Sequence, residues 1–425
     1  MKNKHRWFTI LILIIAGGFV LQSCNESLEI PDFTESNTGP YILNVRHMEF
    51  IKEHRDSLPI VSRDYDLLIS GADRLLDEEF AYVTDKEKLP PSGDNHDYMS
   101  LSRYAWPNDS TGVYDDIRDG QTNPEIYDYD RPKLARFSSA VYALSLAYFY
   151  TNQEKYAEKA TELIKGWFLN PSTRMKPNMK YAQVALGVND NQGMAQGIID
   201  ANDFINVIEA ISLLYNSHHW THNDHVEMKK WFFKFTRWII QNYNADAFES
   251  TNISTWLDVQ RAVYFLFTEQ KQYLNSSSHI MPVKQKIDTQ LTADGALPNE
   301  KSRVRSQHYV YYNLRAYMNL ALVRKNRTGQ DRDWPDLASQ NYAGLRPALQ
   351  SLISYLNGAD ASQYFSESEN FDNCRYLDIF KPAAIAFESE EYDMISQQLL
   401  KSGCRDPNLT LVFPKLSDIK RETIR

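Results

Sequence analysis

The densest run of chemically able side chains is Glu300-Lys301-Ser302-Arg303-Val304-Arg305-Ser306-Gln307-His308-Tyr309, which follows the turn formers Asp294-Gly295 and Pro298 and leads into a segment of helical spacing. Arginine presents a planar donor fork that matches a carboxylate, so Arg303 or Arg305 can hold and neutralise an acidic sugar. A tyrosine beside arginine can have its phenolate favoured by the positive charge, which makes Tyr309 a candidate acid or base. His308 is the second candidate for proton transfer. The competing reading pairs both arginines with surface carboxylates and packs His308 and Tyr309 at a helix start.

Two further clusters carry polar and aromatic groups. In Thr251-Asn252-Ile253-Ser254-Thr255-Trp256 a polar loop feeds a helix, with Ser254 or Thr255 as the expected N-cap. There Asn252 can donate its amide to a carboxylate at a helix N-terminus, where anions are favoured, and Trp256 offers a sugar-stacking face. His96-Asp97-Tyr98-Met99-Ser100 is followed by Tyr104, Trp106 and Pro107. That mixture suits a carbohydrate cleft, rings stacking on sugars and polar groups taking hydroxyls, and it equally suits a loop pinned to the body. His218, His219, His222 and His225 form a histidine cluster, but no His-Glu-x-x-His companion accompanies them, so no metal is assigned.

The elements that must position these groups are helical. Phe137, Val141, Leu144 and Tyr148 recur at helical spacing, as do Tyr156, Ala160, Leu163 and Trp167, then Phe204, Ile208, Ile211 and Tyr215, then Trp256, Val259, Val263 and Phe267. The fold class is all-α, most simply one domain of paired helices whose concave side can take an extended polymer. Two irregular stretches, Leu89 to Arg131 and Asn170 to Asp200, are too long for ordinary connections and are expected to build a site. Only Leu409 to Phe413 alternates as a strand would.

Of 425 residues 43% are hydrophobic, enough for a large core, and the net charge of −9 disfavours non-specific binding to nucleic acid. An acidic ligand must therefore meet a local basic cluster. Lys2, Lys4, His5 and Arg6 precede a short apolar run that ends in Leu21-Gln22-Ser23-Cys24, the form of a lipoprotein signal. The reading is a leader over 1–23, a lipidated Cys24 with a polar tether over 24–40, and a single domain over 41–425. Such a chain belongs to a bacterial envelope, held at the membrane through lipid alone. Cys374 and Cys404 either pair in that oxidising compartment or stay as free thiols.

Taken together, these segments resemble the alginate lyase domain family of polyuronate-cleaving enzymes. The likeness runs in order through His96 to Ser100, Tyr104 to Pro107, Asp119-Gly120 to Glu125, Ser172 to Gln183, Gly197 to Asp200 and the two clusters around Asn252 and Arg303. It implies an incomplete (α/α) toroid with a groove in which an acidic polysaccharide, alginate, glucuronan or similar, is cut by β-elimination, with no cofactor. By resemblance Asn252 and Arg303 neutralise the uronate carboxylate and Tyr309 moves the proton. Tyr98, Tyr104, Trp106, Trp256 and Arg305 fall to substrate binding.

One departure stands out. The family loop reads Asn-Asn-His-Gly-Thr-Trp, and this chain places Ile253 at the histidine. Isoleucine accepts no proton, so the chain must use Tyr309 for both transfers, recruit His308, act on a uronate of different stereochemistry, or bind without cutting. Two other readings follow: a non-catalytic glycan-binding lipoprotein, and a glycoside hydrolase using a carboxylate pair drawn from Asp97, Asp258 and Glu300.

Overall fold

Helical spacing turns into helix wherever the chain can bury one stripe, and the computed structural model describes this over residues 30–31, 33, 38–244, 246–274, 276–327, 343–366 and 371–423. The leader, Cys24 and most of the tether lie outside the described residues. A compact unit runs from Phe33 to Arg425. Its helices are α1 (Val45–His54), α2 (Pro59–Leu76), α3 (Asp130–Thr151), α4 (Glu154–Phe168), α5 (Asp203–Leu214), α6 (His222–Asn242), α7 (Asn252–Phe267) and α8 (Val283–Gln290). They continue with α9 (Pro298–Lys301), α10 (Ser306–Arg327), α11 (Arg346–Leu356), α12 (Leu377–Ala386), α13 (Glu390–Lys401), α14 (Pro407–Val412) and α15 (Leu416–Thr423).

These helices pack in succession, α3 on α4 and α5, α7 on α10, α10 on α12 and α12 on α13, which is the α/α toroid arrangement. Beyond Ile253, every residue of α7 is buried. A helix buried all round belongs to the inside of the ring. Between α4, α5, α6 and α7 the core is aromatic, with Phe168, Phe204, Trp231, Phe232 and Tyr264 meeting edge to face or tilted.

Both long irregular stretches are ordered. Strands β1 (Met99–Leu101), β2 (Ala105–Trp106) and β3 (Asp116–Ile117) lie in the first and β4 (Tyr181–Val184) in the second. β1 pairs with β4 in parallel, which ties the two stretches together, and β2 pairs antiparallel with β3. Buried Asp200 completes the seam by accepting hydrogen bonds from Tyr98 (3.1 Å), Ser100 (2.6 Å) and Gln183 (3.1 Å). Gly197 has no room for a side chain there, since a Cβ would stand 2.4 Å from the Ala182 carbonyl oxygen.

Sequence expectation fails at Leu409 to Phe413, which lies in and just after α14 rather than in a strand. Asp406 caps that helix by accepting from the Leu409 N–H at 3.0 Å and Pro407 sits in its first turn, so local capping overrides a short alternation. Cys374 and Cys404 form a disulfide with Cα atoms 4.9 Å apart. Near the N-terminal end, buried Glu209 accepts from the backbone N–H groups of Tyr41 (2.9 Å), Ile42 (3.1 Å) and Leu43 (2.9 Å). The Asn326 side chain donates to the carbonyls of the same three residues, so this strap is gripped from both sides.

Candidate active site

Arg303 lies in the turn between α9 and α10, and Tyr309 in the first turn of α10. The turn is fixed from outside by the first long stretch: Asp119 accepts from Arg303 Nε (2.9 Å) and Nη2 (2.5 Å) and from the Val304 backbone (3.3 Å). Gly120 makes this approach possible, because a Cβ there would come within 3.0 Å of Val304. With its fork on Asp119, Arg303 lies over the Tyr309 ring at 3.9 Å and donates from Nη2 to the phenol oxygen at 2.9 Å. Tyr309 in turn donates to the hydroxyl of Tyr104 at 2.8 Å. A phenol and a guanidinium six residues apart and a second phenol 205 positions away thus share one hydrogen-bonded line.

The charge balance corrects one expectation. Arg303 does favour the Tyr309 phenolate, but burial and the neighbouring Tyr104 act the other way and win, so the pKa lies above the ordinary tyrosine value. Asp119 also takes up much of the arginine's field, and its own carboxyl is held below the usual range by the hydrogen bond from Arg303. The resting Tyr309 is a neutral phenol, ready as an acid. His308, beside it, is pushed down to about 4, first by burial and then by the positive fields of Arg305, Arg375, Arg103 and Arg303. At neutral pH it carries a lone pair. The four guanidinium groups acting on this one imidazole make a local basic cluster in a chain of net charge −9.

Asn252 opens α7, and its surroundings differ from expectation. Thr251 is the N-cap, with no side-chain cap bond, while Ser254 and Thr255 lie inside the helix. The end is capped from a distance: Glu300 accepts from the Asn252 backbone N–H (2.6 Å) and side-chain amide (2.9 Å), and from Asn313 (3.3 Å). A local cap is redundant where a buried carboxylate already meets the helix N-terminus. Burial raises the pKa of Glu300, with the Asn252 bonds opposing. Asn252 therefore connects to the Arg303 turn through Glu300, three residues upstream of that arginine.

The remaining candidates divide. Arg305, half-buried, accepts the Tyr309 N–H on its carbonyl at 3.1 Å and contributes to the field on His308. Trp106, also half-buried, is pinned by a bond from its indole to the Gln121 carbonyl (3.1 Å) and by Arg118 over its ring at 4.7 Å. Tyr98 is fully buried and spent on Asp200, so it braces the loops and cannot stack on a sugar. Trp256 is 4% exposed, donates its indole N–H to the Tyr312 carbonyl and packs on the Tyr312 ring, which makes it a wall and not a platform. Residue type foretold aromatics here; burial could not be read from it.

Asp97, Asp258 and Glu300 are all occupied inside the protein. Asp97 accepts from Ser92 at 2.8 Å, and Asp258 is ion-paired with buried Lys286 at 3.0 Å. That leaves no pair of these carboxylates to flank a glycosidic bond. Of the histidine cluster, His225 stands in the aromatic core, and His218 and His219, on the loop between α5 and α6, gather with Glu154 of α4 within 4.8 Å, apart from the Tyr309 line. Sequence reasoning missed Asp119 as a site residue. Its signal was the Asp-Gly pair, a turn whose glycine has φ +78°.

Two cavities of about 370 and 390 Å³ lie along the inner helices and share Tyr312, Arg315, Asp378 and Asp406. Trp256 and Arg131 line the first, His308 and Arg375 the second.

No curated protein matches the chain. The alginate lyase family profile matches residues 82–362. A solved alginate lyase from Bacteroides ovatus is 29% identical, covers 89% of this chain and 99% of its own, and superposes with a TM-score of 0.75. Alginate lyase A1-III from Sphingomonas species A1 is 13% identical, covers 82% of this chain and 94% of its own, and reaches a TM-score of 0.47. With more than half of its length matched by that profile, the chain belongs to the alginate lyase family and is a polysaccharide lyase.

Proposed function

We propose that the protein cleaves a uronic-acid polysaccharide, alginate or a related polyuronate, by β-elimination at the Tyr309 line. The observation that carries this reading is the Asp119–Arg303–Tyr309–Tyr104 chain beside a four-arginine field on His308. Asp119 occupies Nε and Nη2 of Arg303, and Nη1 remains to meet the uronate carboxylate, with the second amide hydrogen of Asn252 as its helper. Neutralising that carboxylate spreads the charge that develops when the adjacent carbon loses its proton. Tyr309 is the proton carrier on one face of the sugar. Its proton passes to Tyr104 along their 2.8 Å bond as Tyr104 releases its own hydroxyl proton to solvent and Arg303 steadies the phenolate; the phenolate takes the proton from carbon, and the new phenol returns it to the departing glycosidic oxygen.

A second assignment of the base is favoured by one observation, the depressed pKa of His308. Groups whose pKa values are pushed apart divide acid and base work between them, and here a protonated phenol stands next to an unprotonated imidazole. Tyr309→Phe abolishes turnover under both assignments; His308→Gln abolishes it only under the second. The assay is ultraviolet absorbance of the conjugated product on a panel of alginate, glucuronan, pectate and glycosaminoglycan. No rise with any of them overturns the proposal.

The tether adds a place of action. We infer that Cys24 is lipidated after cleavage of the leader and that a single domain hangs from it in the bacterial envelope. The sequence around Cys24 supports this, and no described helix is long and apolar enough to cross a membrane. Labelled palmitate should enter the wild-type chain and not Cys24→Ala; labelling of neither sinks the inference.

A further inference from the structure

Each cysteine of the disulfide is followed directly by an arginine, Arg375 after Cys374 and Arg405 after Cys404. Thirty residues separate the two cysteines, so the crosslink brings distant guanidinium groups to one wall. Both line the 390 Å³ cavity that also contains His308, and Arg375 Nη1 stands 3.5 Å from His308 Nδ1. A cavity of this size is within the range of small-ligand pockets, roughly 300–1,000 Å³.

The carboxylates of that cavity already have uses. Asp372 accepts from the Cys374 N–H at 2.9 Å, Asp378 pairs with Arg315 at 3.4 Å and also takes the Tyr311 hydroxyl, and Asp406 caps α14. Arg375 and Arg405 make no ion pair among the described residues. Arg405 Nη1 donates to the carbonyls of Leu400 and Cys404, which fixes the plane of the group and leaves Nε and Nη2 available. Two oriented, uncompensated guanidinium groups in a protein of net charge −9 call for an anion.

We propose that Arg375 and Arg405 form a second carboxylate-binding subsite, which takes a uronate of the same polymer next along from the one at Tyr309. This rests on the function proposed above. A polyuronate repeats its carboxylate with every sugar, so a chain held at Arg303 presents another acidic group toward His308 and the cavity beyond. The arginine fork matches a carboxylate in two bonds, and the disulfide lowers the ordering cost of binding by holding the wall in place.

The test is calorimetric binding of uronate oligomers of increasing length to protein carrying Tyr309→Phe, which blocks turnover. Arg375→Ala, on an exposed residue, leaves the fold intact, and Arg405→Gln is combined with it. The expected result is unchanged affinity for the shortest oligomer that binds and about tenfold weaker binding of longer ones. Carboxyl-reduced oligomers should show no such difference. In the protein that keeps Tyr309 the same substitutions should raise KM for long oligomers more than for the shortest one cut. Equal affinity at every length overturns the subsite alone, whereas failure of every uronate oligomer to bind with both arginines present overturns the substrate class as well.

Discussion

Glu300 and Arg303 stand three residues apart, and the protein treats them oppositely. Glu300 is 2% exposed and closed in by Asn252 and Asn313, so its charge is spent inside the fold. Arg303 keeps about a third of its side chain in solvent and, after meeting Asp119 and Tyr309, retains a donor. A carboxylate met on both oxygens inside the fold specifies structure; a guanidinium with a donor left over at a surface is built for something that arrives later. The contrast separates scaffold from site within a single turn.

The sharpest way to break that contrast is Tyr309→Phe. It removes one hydroxyl from the unsatisfied side, so turnover should fall by about a thousandfold, within the usual range for a lost acid or base, with stability changed by no more than about 1 kcal/mol. Product absorbance and thermal melting measure the two. Glu300→Ala attacks the other side and orphans the buried end of α7, which should cost about 3 kcal/mol in denaturant unfolding. If Glu300→Ala spared stability while abolishing turnover, the division between scaffold and site would be wrong. Arg303→Gln should lower kcat/KM about a hundredfold through the lost neutralisation of the carboxylate.

A smaller effect concerns pH. The pKa of His308 is held to about 4 in the fold against 6.5 unfolded, so as pH falls below 6.5 the unfolded chain takes up the proton first and stability declines until pH reaches about 4. Between pH 6.5 and 5.5 this amounts to about 1 kcal/mol, and His308→Gln should remove that share of the slope. His47 and His225, also lowered to about 4 by burial, give the same sign and should leave the rest of the slope in place.

Helices were legible because burial of one stripe leaves its period in the sequence, as at Phe137, Val141, Leu144 and Tyr148. The two long stretches could be recognised from length and composition as more than connections, and the first of them supplies Tyr104 and Asp119. What stayed hidden depends on partners far along the chain. Asp119 meets Arg303 across 184 positions, and Glu300 caps α7 across 48. Nothing local distinguishes such a carboxylate from any other surface acid. Tyr98 and Trp256 show the converse, since an aromatic ring fits a binding face and a core equally well until its neighbours are known. Arg303 beside Tyr309 was visible, yet the direction of the phenol's shift was not, because it turns on burial and on Tyr104.

The strap at Tyr41 to Leu43 gives the molecule a bearing. Its grip includes Asn326, seventeen residues beyond Tyr309 on α10, roughly 25 Å along the same rod at 1.5 Å per residue. A pull on the chain ahead of Tyr41 would be shared between that far end and Glu209, and Glu209, Ile42 and Leu43 line the 370 Å³ cavity together with Trp256 and Tyr312.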